Sequence, residues 1–409
     1  MKKTNKIVSA ILIGFLVLVT AQSLYSKDWP QWRGTNRDGM VTGFKAPETW
    51  PAQLPQKWAV TVGFGDSTPA LKDNKLYVFT RQGSDEVLQC LDAENGKELW
   101  RDKYAAQAVT GPAARHPGPR SSPTVADGKV VTFGAGGVLS CLDAATGKVL
   151  WRNEAYTDAV PQFFTSMSPI VVDGMLISHL GGKDKGVLLA LDLTTGKEKW
   201  KLPGDGPAYG SPALMSVGGT KQVVVLTEKN MISVAASDGK LLWQVPAPNA
   251  TRFFSCATPV IDGDKVYYTG QGHGTKAVKI EKNGDNVTVK TLWSNDDLGT
   301  TFNTPIIKDN FLFGISKLGN IFCINAQTGK TTWISSIKLD RFGSVVNAGS
   351  VLLGLSPNSE LVVFKPDNNA YTELARFKVA ETPTQAHPVV SGNRIFIKDS
   401  ENLAMRVVE

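Results

Sequence analysis

The chain has 409 residues, 42% hydrophobic and 20% charged, with 39 glycines, four cysteines and four histidines. That composition supplies a large apolar core and many turns, and it excludes a disordered chain, a collagen, a disulfide-dense scaffold and a metal-rich protein. Of the formal charge of +7, three units come from Lys2, Lys3 and Lys6, and the remaining excess is too thin to argue for a nucleic-acid partner.

Those three lysines precede an apolar run from Ile7 to Ala21, and Ala21-Gln22-Ser23 places small residues three and one before a cleavage point. This is the layout of a secretory signal peptide. The run is shorter than the roughly 20 residues of a bilayer span, although an uncleaved anchor is the competing reading. A second candidate point follows Ser26, and no cysteine lies near either one. The expectation is therefore a signal peptide over 1–23, an N-terminal extension over 24–53 and a repeat domain over 54–409. The protein would be exported to the periplasm or beyond, with no membrane span in the mature chain.

From Leu54 onward one unit recurs. Leu91-Asp-Ala-Glu-Asn-Gly-Lys-Glu-Leu-Trp100 returns as Leu142-Asp-Ala-Ala-Thr-Gly-Lys-Val-Leu-Trp151 and Leu191-Asp-Leu-Thr-Thr-Gly-Lys-Glu-Lys-Trp200, with weaker copies ending at Trp243, Trp293 and Trp333. A Ser/Thr-Pro phrase opens each unit, at Thr68, Ser122, Ser168, Ser211, Thr258 and Thr304, with degenerate copies at Ser344 and His387. A β-rich run follows each phrase. The turn chemistry is Asp-Gly or Thr-Gly, which accepts positive φ. Four short antiparallel strands every 40–50 residues predict an all-β, eight-bladed β-propeller of four-stranded antiparallel sheets. The last unit has only three strands, and an unattached closing phrase around Trp58 precedes the first. The N-terminal strand around Trp58 is thus expected to complete the eighth blade and close the ring.

Trp58, Trp100, Trp151, Trp200, Trp243, Trp293 and Trp333 occupy one repeat position and are expected to dock neighbouring sheets. Cys90, Cys141 and Cys323 share another position with Ala190 and Ser233, which marks a small buried slot rather than a disulfide site. Cys256 stands apart as an unpaired thiol. The histidines are too scattered for a zinc site, and no metal is expected.

The closing phrase resembles the pyrroloquinoline-quinone-type propeller repeat, Ala-x-Asp-x-x-Thr-Gly-x-x-x-Trp, most closely at Ala190, Asp192, Thr195, Gly196 and Trp200. The segment Asp28-Trp-Pro-Gln-Trp-Arg-Gly-Thr-Asn-Arg-Asp-Gly39 is similar to one found ahead of such propellers in exported bacterial proteins. The resemblance implies the superfamily of the quinoprotein alcohol dehydrogenases. Their catalytic members hold a quinone and a calcium ion on the axis and often carry a vicinal Cys-Cys pair, which this chain lacks. It also implies kinship with the propeller subunit of the outer-membrane β-barrel assembly machinery, a cofactor-free scaffold that is typically a lipoprotein.

Binding in propellers concentrates at the axial mouth, where loops enter the innermost strands. Counting from the Ser/Thr-Pro phrases places Asp66, His116, Arg120, Phe164, Tyr209, Arg252, Phe254, Phe302, Asn303, Arg341 and Phe342 there. Aromatics beside arginines compose a recognition surface, although the same aromatics could simply plug the channel. No catalytic constellation assembles. The expected function is a non-catalytic, monomeric scaffold without cofactor, binding a protein partner or small ligand at this loop face. Two alternatives stand beside it. One is a dehydrogenase of alcohols or sugars using pyrroloquinoline quinone and Ca2+, with Asp66 as base. The other is a polysaccharide-binding propeller.

Overall fold

The computed structural model describes residues 28–247, 256–270, 272–284 and 286–409; Arg252, Phe254 and the signal-peptide segment lie outside them. The strands form eight four-stranded sheets, each antiparallel and ordered from the axis outward. Seven sheets use consecutive strands. The eighth pairs Gln56–Thr61 with Asn402–Val407, setting Trp58 opposite Met405 and Thr61 opposite Asn402. The ring is thus closed by the N-terminal strand, as the repeat phase requires. We number the blades 1 to 8 from the sheet that begins at Ala70.

Two repeated devices hold blade to blade. The first is the closing tryptophan. The indole N–H of Trp58 donates to Ala93 O, Trp100 to Ala144 O, Trp151 to Leu193 O, Trp200 to Ala236 O, Trp293 to Ala326 O and Trp333 to Asp367 O, over 2.9–3.2 Å. Each acceptor belongs to the following blade. Five of these rings also lie over that blade's turn glycine, at Gly96, Gly147, Gly196, Gly239 and Gly329. Trp243 differs. The next blade replaces the Thr-Gly turn with a long hairpin, Gly274–Asn283 and Asn286–Asn295, and Trp243 donates to Gln222 of its own blade.

The small slot is explained by the same tryptophan. Cys90, Cys141, Ala190, Ser233, Ala277 and Cys323 lie across the ladder from Trp100, Trp151, Trp200, Trp243, Trp293 and Trp333, and all six are fully buried. A larger side chain there would displace the indole. None of the four cysteines is in a disulfide.

The second device explains the Ser/Thr-Pro phrase. The backbone N–H of each Ser or Thr donates to the hydroxyl of its counterpart in the next blade: Thr68 to Ser122, Ser122 to Ser168, Ser168 to Ser211, Ser211 to Thr258 and Thr258 to Thr304. His387 donates to Thr68. These buried links form six-eighths of a circle around the axis. The interruption falls at the degenerate copy, where the Ser344 hydroxyl is buried without a partner. The proline that follows has no N–H to satisfy and fixes the entry angle of the inner strand.

The axis itself is filled by residues 28–41, a role the sequence did not disclose. Trp29 bridges to Leu71, Pro30 O accepts from Val125 N, and Met40 bridges to Asn347. Arg33 donates to Thr304 O and Pro305 O, and Arg37 to Ser168 O and Pro169 O. Contacts with inner strands on opposite sides of the ring require the segment to cross the channel. It enters on the face bearing the Asp-Gly and Thr-Gly turns, where Asp28 pairs with Lys72. It reaches the Ser/Thr-Pro level, where Trp32 donates to Thr258 Oγ1 and its ring meets His387 at 4.5 Å.

Candidate recognition face

The opposite face carries the loops entering the inner strands, and the sequence-derived residues separate there into two groups. The first is self-satisfied. Asp66 Oδ2 lies 2.8 Å from His116 Nδ1, and that bond raises the pKa of His116 above its ordinary 6.5. Arg120 donates to Phe163 O, His116 O and Ala113 O, and burial lowers its pKa. Together they fasten the long loop with its one-turn Gly111–Arg115 helix across the rim. Tyr209 Oη accepts from Phe163 N and its ring meets Phe163 edge-on, while burial pushes its pKa up to about 12.

Two predicted residues do not reach the surface. Phe164 is buried with Val109, Ala113 and Ala135, its backbone turned to φ +64°. Asn303 is 2% exposed, and its amide exchanges hydrogen bonds with both backbone groups of Ile315 and donates to Arg341 O. It sets the loop's shape. Its place one residue after an exposed aromatic made it look like a contact residue.

The second group is open. The rings of Phe302 and Phe342 stack 4.3 Å apart at 3° and are 42% and 37% exposed. The Arg341 guanidinium lies 5.3 Å from one ring centre and 5.8 Å from the other. No carboxylate among the described residues pairs with Arg341. These side chains come from the loops entering blades 6 and 7, and Leu318, 66% exposed, sits on the nearby turn of blade 6.

Sequence reasoning missed Leu318, whose signal is an apolar residue at the tip of a Ser-Lys-Leu-Gly turn. It also missed Lys398, a buried ammonium donating to Asp399 O and Ser400 O. Burial pushes its pKa down to about 8, against the pull of Asp66.

Comparison with known proteins fits this geometry. The relatives include outer membrane protein assembly factor BamB of Moranella endobia, 22% identical over 344 residues, covering 78% of this chain and 82% of the relative. Quinohemoprotein alcohol dehydrogenase ADH IIB of Pseudomonas putida is 28% identical over 238 residues, but these are 56% of this chain and 31% of that enzyme. Among solved structures, BamB from Moraxella catarrhalis superposes with TM-score 0.66 at 15% identity, over 88% of this chain and 98% of that one. The dehydrogenase ADHIIG from Pseudomonas putida superposes with TM-score 0.71 at 14% identity, over 93% and 80%. At such identities the structural likeness shows the fold alone. The sequence profile of one family matches residues 84–335, well over half of the chain. The chain therefore belongs to that family, the PQQ-repeat propellers described as outer membrane protein assembly factor BamB.

Proposed function

We propose that the protein is an exported, non-catalytic scaffold that holds a protein partner on its loop face. The observation that carries this reading is the exposed Phe302–Phe342 stack flanked by Arg341, which pairs with no carboxylate among the described residues. Solvated aromatics beside an arginine have the composition of an interface hot spot. The names of the relatives support the partner class, a component of outer membrane protein assembly. The signal-like residues 1–23 and the same relatives support the periplasm as the compartment.

The dehydrogenase relatives raise a quinone and calcium as the alternative, and the described residues fit that pair poorly. Asp66 is already engaged by His116, Trp32 and Arg33 occupy the axis, and no three His, Cys, Asp or Glu side chains converge among the described residues.

A photo-crosslinker at Phe342 tests the proposal in intact cells. The expected result is one discrete adduct with an envelope protein. For that partner, Phe302→Ala with Arg341→Ala should weaken binding about 30-fold or more. Uniform background labelling would overturn the scaffold reading. So would dye reduction with alcohols or sugars after adding pyrroloquinoline quinone and Ca2+.

A further inference from the structure

The turn face, opposite the recognition face, holds an open groove of about 580 Å³. Two departures from the repeat build it. One is the segment Ala46 to Trp50 of the N-terminal extension. The other is the turn of blade 7, where Lys365-Pro-Asp-Asn-Asn-Ala-Tyr-Thr372 replaces the short Thr-Gly-Lys turn. Its volume falls within the roughly 300–1,000 Å³ of small-molecule sites.

The lining is specific in chemistry. Trp50 is half-buried, backed by Phe44 at 6.4 Å and 19° and by Phe377 at 6.0 Å. Its indole N–H meets no acceptor among the described residues, unlike the indoles that dock the blades. Around it the side chains of Glu48, Lys365 and Asn368 make no hydrogen bond or ion pair among the described residues. By contrast Asp367 is engaged, accepting from Asn369 at its carboxylate and from Trp333 at its carbonyl.

We propose that this groove binds an oligosaccharide, with Trp50 packing on the apolar face of one pyranose ring and Glu48, Lys365 and Asn368 bonding its hydroxyls. A flat aromatic with one directional donor suits a ring whose faces are C–H and whose rim is O–H. A carboxylate, an ammonium and an amide together supply both donors and acceptors, as hydroxyls require. The two charges cancel, which disfavours a strongly ionic ligand. A peptide strand would need an unpaired ladder edge, and apart from Leu374 the lining comes from turns and the N-terminal extension.

The full chain should be titrated with chitotriose and with maltotriose, read by saturation-transfer NMR and calorimetry. The first carries amides and the second only hydroxyls, so their comparison separates the two sources of pyranose. At least one is expected to bind, and Trp50→Ala and Asn368→Ala should each weaken it about tenfold. Asn368 is exposed on its turn, so its substitution should leave the melting temperature unchanged and decides the matter if Trp50→Ala unfolds. Failure of both sugars to bind overturns the proposal, as does affinity unaltered by Asn368→Ala. Loss of binding in Phe302→Ala/Phe342→Ala with retention in Asn368→Ala also overturns it, by moving the sugar to the loop face.

Discussion

Gly147 carries two constraints at one Cα. Its φ is +75°, and an added Cβ would sit 2.5 Å from the Trp100 ring. Gly147→Ala should therefore lower stability by about 1–3 kcal/mol in denaturant titration, through backbone strain and a displaced indole. Trp100→Ala removes the other half of the contact and should cost about 3–5 kcal/mol. This pairing was legible because it recurs, each closing Trp and Thr-Gly turn being printed several times in one chain. Which face each side chain takes was not. Phe164 and Phe302 look alike in sequence, yet a positive φ turns the first into the core. Two buried histidines add a pH dependence. Burial lowers the pKa of His179 to about 4 and of His387 to about 3, the latter helped by Arg33. Unfolding restores a value near 6.5, so the unfolded chain binds more protons between these values. Stability then falls as pH drops from about 6.5 toward 4, by up to about 1.4 kcal/mol per pH unit for each group. His387→Gln should flatten that slope relative to the unaltered protein, and parallel curves would contradict it.

The element with most consequence is the axial segment. Arg33 and Arg37 are fully buried without a carboxylate partner among the described residues, each held by backbone carbonyls, and desolvation lowers their pKa to about 10 and about 9. Both adopt positive φ, near 60°. Such a segment is tolerable only because the ring over-determines it. Arg33→Ala strands Thr304 O and Pro305 O and should cost about 3 kcal/mol or more, measured by thermal or chemical unfolding. Nothing in the sequence pointed to this. The segment occurs once, so no internal copy reveals its role, and its partners lie far along the chain, 131 residues away for Arg37 and Ser168 and 271 for Arg33 and Thr304. By contrast the pairing of Gln56–Thr61 with Asn402–Val407 was legible, because the repeat's phase leaves one strand over ahead of the first unit and one short in the last.

At the scale of the whole molecule three of the eight seams depart from the full Trp–Gly dock: between blades 6 and 7 Trp333 meets Asp367 O but no turn glycine, between blades 7 and 8 Phe377 stands where a tryptophan would, and the third seam is built on a hairpin. Between blades 4 and 5 the Trp–Gly dock is missing, and in its place Lys282 on the long hairpin donates to Thr220 Oγ1 and Gly218 O. A shared apolar cluster including Met215, Trp243, Val266 and Ile280 backs it. Lys282 sits at the surface, so its bonds contribute little compared with a buried indole. Hydrogen exchange should accordingly be faster at the outer strand of blade 4 than at the equivalent strand of blade 3, and equal protection would show that the shared cluster suffices. The eightfold architecture followed from counting phrases, whereas the exposed pair at blades 6 and 7 depended on loop conformations that no periodicity encodes.

Thr61 and Asn402 hydrogen-bond across 341 residues of chain. At about 5–20 residues per second, synthesis separates them by roughly 20–70 seconds. For all that time the first-made strand has a bare ladder edge, and for most of it Arg33 lacks the carbonyls of Thr304 and Pro305 that cage it. The nascent protein is thus an open arc with sticky ends until the strand Asn402–Val407 emerges. A stop codon ahead of Asn402 would release a chain unable to become a circle.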